Sequence, residues 1–163
     1  MEKKKTTQIA SIVIACCICS LSLLHCEWID VGISNSSNWH CRLTFHFFHA
    51  NLLHAALNAW CLLYITFKYG ISLRNLLAAF IIAASIPPFI LLDTPTVGLS
   101  GVIFACLASF SFVVKRKLYF HAWTLFYIGC GFLFPNTNAL LHLYCYALGF
   151  IWAFLNKPII IAR

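Results

Sequence analysis

Charge is what this chain has least of. Only 9% of its 163 residues are Asp, Glu, Lys or Arg, and only 4 of those are acidic. An ordinary soluble domain is about 25% charged and roughly 45–50% apolar; here 62% of residues are apolar. A domain of this size leaves too much of its area exposed to hide such an excess from water. The scarcity of charge therefore excludes an ordinary soluble enzyme, a disordered tail and a secreted mini-protein, and it points to the bilayer as the solvent. The chain's single Cys-x-x-Cys, Cys16 to Cys19, lies inside an apolar run with no second such pair, which removes the common zinc signature. No basic stripe with interleaved aromatics lies outside the apolar runs, so nucleic acid is excluded as a partner.

What is present is organised around six apolar runs, near residues 8–25, 49–67, 73–92, 98–114, 118–134 and 138–156. Each is close to the ~20 residues that a spanning helix needs. They predict an all-α fold: one domain over 1–163, a polytopic membrane protein with six transmembrane helices. Lys68-Tyr69-Gly70, Asp93-Thr94-Pro95, residues 115–117 and Pro135-Asn136-Thr137-Asn138 separate the runs. Pro87-Pro88 lies inside the third and should kink it. Most of the 9 cysteines sit within the runs and read as small hydrophobes. Only Cys26 and Cys41 are placed to bridge, in an oxidising compartment.

The basic residues orient the bundle. Lys3–Lys5, Lys68, Arg74, residues 115–117, Lys157 and Arg163 all fall on one side, and Arg42 alone falls on the other. Cytoplasmic loops carry the excess of Lys and Arg, so both termini belong in the cytoplasm and loops 1–2, 3–4 and 5–6 outside. Val13–Cys16 resembles a loose lipoprotein cleavage box, but the apolar run continues to Leu24, so it reads as a retained anchor. The aromatic-rich segment 26–48 belongs in the outer interface.

Polar groups inside a bilayer are costly and mark function by default. His54 and Asn58, four residues apart, share a face in the outer half of the second run. His46 sits just before that run. His49 falls half a turn out of phase with Asn58 and reads as structural, bonding the first loop. Gly98-Leu99-Ser100-Gly101 opens the fourth run and His142 lies about one turn into the sixth. Three distant helices thus deliver polar groups to one depth on one side. A serine at a helix N-terminus sits beside unpaired amides and the positive end of the dipole, which suits a nucleophile whose attack creates an oxyanion. An imidazole from another helix can take its proton. Gly101, Ala105 and Ala108 on the fourth helix, and Cys145, Gly149 and Ala153 on the sixth, form small-residue stripes that let the two backbones approach. His25 and His40 read as solvent or headgroup residues, His121 and Lys117 as interfacial ones.

These residues resemble the rhomboid family of intramembrane serine proteases. The likeness rests on His49-x4-His54-x3-Asn58, on Gly98-Leu99-Ser100-Gly101, and on His142 with Gly149, and it covers nearly the whole chain in the order of the six-helix bacterial type. It implies a rhomboid-like bundle in which Ser100 is the nucleophile and His142 its base, a dyad with no acidic third member. His54, Asn58 and the Ser100 amide would form the oxyanion hole. His49, Gly98, Gly101, Phe104 and Gly149 would support the site, Phe104 as the aromatic beside the histidine. Trp39 and Arg42 are similar to the family's first-loop Trp-Arg signature, spread apart. Leu141, Cys145 and Ala108 replace residues that the family usually has as alanine, glycine and glycine. The function implied is an intramembrane serine endopeptidase cutting transmembrane protein substrates near the outer leaflet of a bacterial inner (plasma) membrane, with no metal or cofactor. A catalytically inactive rhomboid-like protein that binds membrane clients is the alternative, and a small transporter or a metal or haem carrier a third.

Overall fold

A computed structural model describes residues 2–24, 26–134 and 137–156. The expectations placed on His25, Pro135, Asn136, Lys157 and Arg163 lie outside the described residues. Those described fold as an all-α protein, whose helices are α1 (Glu2–Leu21), α2 (Trp28–Val31), α3 (Cys41–Thr44), α4 (Leu52–Tyr64), α5 (Leu73–Ala84), α6 (Ser100–Ser109), α7 (Lys117–Gly131) and α8 (Ala139–Leu155). No strand forms among them; one isolated antiparallel bridge pairs Ile33 with Thr96.

Helix ends follow local side chains. Asn51, Ser72 and Asn138 each accept a backbone N–H three residues on, from His54, Asn75 and Leu141, as N-caps do. A π-helical turn over Ile65–Tyr69 extends α4 until Gly70, in the left-handed region at φ 67°, ends it. In the third run the expected kink is instead a stop. α5 ends at Ala84, and a 3-10 turn over Pro88–Ile90 follows. Two consecutive prolines remove two donors and disfavour helix before them. The carbonyls released there are taken by Arg42, whose Nη1 donates to Ala84 O at 3.0 Å and to Ile86 O at 2.5 Å. The fourth run is likewise shorter than expected, with only 10 residues helical.

That short helix is the centre of the molecule. Gly101, Val102, Ile103, Ala105, Cys106 and Ala108 of α6 are all buried; α5 and α8 pack closely on it and α4 touches it. At the α6–α8 crossing the backbones meet, since a Cβ added to Gly149 would sit 2.5 Å from the Ala105 carbonyl oxygen and 2.8 Å from its Cα. Leu141 fills the space before Gly101, where an added Cβ would lie 2.7 Å from the leucine Cδ2. α1 lies against α4 and α5, joined by a buried hydrogen bond of 2.8 Å between Ser11 Oγ and Thr66 Oγ1. α7 packs mainly on α8.

The exterior is apolar. Large side chains such as Trp60, Ile81, Leu125, Phe126, Ile151 and Phe154 stand exposed around the bundle. The Lys4–Leu21 stretch is long and apolar enough to cross a membrane, whereas α5, α6 and α8 are shorter apolar helices.

Candidate active site

Ser100 is the first residue of α6, and the segment before it is drawn tight by the rest of the chain. The Gly98 N–H donates to Phe45 O at 2.8 Å, and the Leu99 N–H donates to His49 Nε2 at 3.2 Å. The Ile33–Thr96 bridge holds the strand-like approach from below, with N–H···O distances of 2.9 and 2.8 Å. Gly98 itself has φ +130°, a region that L side chains rarely adopt. It also has no room for one, because an added Cβ would lie 2.9 Å from His54 Cε1 and 3.2 Å from His54 Nε2.

His142 comes from the first turn and a half of α8. The close α6–α8 crossing brings its Nε2 to 2.8 Å from Ser100 Oγ. The Phe104 ring, one turn along α6 from the serine, lies against the imidazole with centroids 4.6 Å apart and planes at 32°. Serine, histidine and aromatic are therefore together, the first two as their helical spacing indicates and Phe104 as the resemblance implies.

His54 borders the same point, against Gly98 and within electrostatic reach of His142. Asn58, buried one turn further along α4, donates from Nδ2 to the His54 carbonyl at 2.9 Å. That bond uses one of its two amide hydrogens.

His49 is where helical reasoning fails. It lies outside α4, which begins at Leu52, so a phase angle along the helix does not apply to it. Its ring returns to within 4.9 Å of the His54 ring, edge to face. It accepts from the Leu99 N–H at the doorstep of α6 and also has a backbone hydrogen bond with Phe47 of the first loop, as expected. Accepting that N–H requires a neutral ring with its proton on Nδ1.

Other expectations change as well. His121 is not simply interfacial, because its Nδ1 lies 2.6 Å from the Tyr146 hydroxyl and ties α7 to α8. Trp39 is exposed and meets only the His40 ring edge among aromatic neighbours, while Arg42 reaches away from it to the α5 break. Cys26 and Cys41 are both free thiols, and Cys41 Sγ donates instead to Asp30 O at 3.5 Å. Two contacts had no sequence-level signal beyond residue type. The Tyr144 hydroxyl binds the Ser85 carbonyl at 3.1 Å, and His46 is buried between Phe45 and Phe80. Burial pushes the His46 imidazole down to about 3, only partly offset by the Arg42 carbonyl. Among the described residues no group of three or more His, Cys, Asp or Glu side chains is placed to hold a metal.

No family model, curated protein or solved structure matches the chain.

Proposed function

We propose that this chain is a six-span rhomboid-type intramembrane serine endopeptidase that cuts transmembrane substrates near the outer leaflet with a Ser100–His142 dyad. The observation that carries the reading is the 2.8 Å contact between Ser100 Oγ and His142 Nε2, made by residues 42 apart in sequence. A serine alone is a weak nucleophile; a base within hydrogen-bond reach activates it.

With its proton on Nδ1, His142 takes the Ser100 hydroxyl proton at Nε2 as Oγ bonds to the scissile carbonyl carbon. The carbonyl oxygen becomes an oxyanion, for which the Ser100 amide, the second Asn58 amide hydrogen and His54 are the proposed donors. Preorganised donors of this kind are worth about 3–4 kcal/mol each in low dielectric. Collapse breaks the C–N bond, and the imidazolium passes its proton to the departing amine. Water, deprotonated by the same imidazole, then hydrolyses the acyl-enzyme. Hydrolysis inside a bilayer needs a wet cavity. A helix of only 10 residues rises ~15 Å, about half of the ~30 Å hydrocarbon core, so Ser100 at its start need not face lipid-deep surroundings.

The apolar exterior and the clustering of basic residues at one end support the bilayer as the solvent. The test is labelling of the detergent-purified protein by a fluorophosphonate. Wild type is expected to label at Ser100, and Ser100→Ala and His142→Ala to lose labelling and cleavage by ~10³-fold or more at unchanged helicity by circular dichroism. An intact fold that never labels would instead favour the client-binding alternative.

A further inference from the structure

At the end of the bundle away from the dyad, a cavity of about 220 Å³ opens between the π-helical turn after α4, the start of α5, the end of α6 and the end of α8. Its wall is mostly apolar, with Tyr69, Phe110 and Phe112 prominent, and carries a polar side made by Ser72, Asn75, Ser109 and Asn156. The dyad chemistry uses none of these residues.

The polar side is organised around a cation. Arg74 donates from Nη2 to Asn156 Oδ1 at 2.6 Å, and its guanidinium lies 5.5 Å over the Trp152 ring. Trp152 in turn donates from Nε1 to Asn75 Oδ1 at 3.2 Å. Both asparagines in this relay line the cavity; Arg74 itself does not, but its guanidinium stands 2.6 Å from the lining Asn156. The guanidinium has five donors, and Asn156 takes one. A second cation arrives from another helix. Gly70 lines the cavity, and a Cβ there would lie 3.9 Å from Lys4 Nζ.

The surrounding charge is mostly positive, with Glu2 the one acidic residue in sequence at this end. Lys68 and residues 115–117 belong to the same end, whereas Glu27, Asp30 and Asp93 lie with the first loop at the other. A ligand for this cavity needs an anionic group for Arg74 and Lys4, and apolar substance for Tyr69 and Phe110. A free anion meets only the first requirement.

We propose that this cavity is a binding site for the phosphodiester headgroup of an anionic glycerophospholipid from the cytoplasmic leaflet. Arg74 and Lys4 contact the phosphate, and Tyr69 and Phe110 contact the first methylenes. The proposal rests on the membrane reading above and is independent of the protease chemistry. Basic pockets between spanning helices on that side are suited to such headgroups.

Native mass spectrometry of the detergent-purified chain with dioleoyl phosphatidylglycerol or dioleoyl phosphatidylcholine tests it. Phosphatidylglycerol is expected to stay bound and phosphatidylcholine to leave. Arg74→Gln and Lys4→Gln are each expected to weaken retention by ~5-fold at unchanged helicity, and an Arg116→Gln/Lys117→Gln control to leave it intact. Equal retention of both lipids, an equal loss in the control, or full displacement by millimolar inorganic phosphate would each overturn the site. Carbonate extraction reads the underlying premise separately. A chain released from membranes refutes the bilayer reading, whereas one that stays embedded and ignores phosphatidylglycerol refutes only the lipid site.

Discussion

The position of Ser100, and with it the proposed chemistry, depends on the residue two places earlier. Gly98 combines a φ of +130° with a 2.9 Å approach to His54, so any side chain there is both strained and in collision with an imidazole. Gly98→Ala is expected to cost about 1–3 kcal/mol of backbone strain and to displace Ser100 or His54. Lowered fluorophosphonate labelling and a lowered melting temperature check it together; wild-type labelling would show that Gly98 is not constraining the nucleophile. His46 illustrates a different residue-scale effect. Its ordinary value is 6.5 and its buried value about 3, so between these limits the unfolded chain takes up a proton that the folded one refuses. The resulting stability is complete above about pH 6.5 and is lost as pH falls, by up to ~1.4 kcal/mol per pH unit. His46→Phe, which keeps the ring contacts with Phe45 and Phe80, is expected to flatten that part of the stability–pH curve; an unchanged slope between pH 6 and 4 would refute the assignment. Ser100 and His142 were legible in the sequence because each sits on a helix, where spacing fixes direction, whereas Phe104 came from the family resemblance alone. His49 and His46 were not, because loop backbone has no period to read.

Among the elements, the α6–α8 crossing is the contact on which the dyad depends. Its small-residue stripes were visible as four-residue repeats, and the structure makes them the closest backbone approach of any glycine, at Gly149 against Ala105. Gly149→Val is expected to force the helices apart, because backbone cannot yield as a flexible side chain can. Destabilisation of about 1–3 kcal/mol should accompany loss of labelling. Gly129 on α7 provides the contrast, since an added Cβ there meets nothing within 4 Å. Gly129→Ala is expected to raise stability by about 0.5–1 kcal/mol and to leave labelling unchanged. Thermal melts of the pair separate a packing glycine from a merely tolerated one. The same scale shows the limit of hydropathy. The apolar run at 73–92 shows where Pro87-Pro88 interrupt it but not that α5 stops at Ala84 rather than kinking, because the freed carbonyls are satisfied by Arg42, distant in sequence.

Across the whole molecule, charge is biased by end rather than by face, with Glu2 and Arg42 the exceptions. Lys4 lies beside Gly70 at one end, and α1, with 20 residues, carries the chain ~30 Å away to the loop that holds Glu27 and Asp30. That distance equals the hydrocarbon thickness of a bilayer, and an apolar belt surrounds the bundle between the two ends. A water-soluble bundle gains nothing from such a separation, whereas a membrane protein is oriented by it. Alkaline phosphatase, active only outside the bacterial cytoplasm, distinguishes the cases when fused after Ser36 or after Arg116. The Ser36 fusion is expected to be active and the Arg116 fusion inactive. The reverse pattern would invert the bundle and put Ser100 in the inner leaflet, where no outer-leaflet substrate reaches it. Inactivity of both would remove the outer loop from the outside altogether, and with it the bilayer that the dyad and the lipid cavity share as their premise.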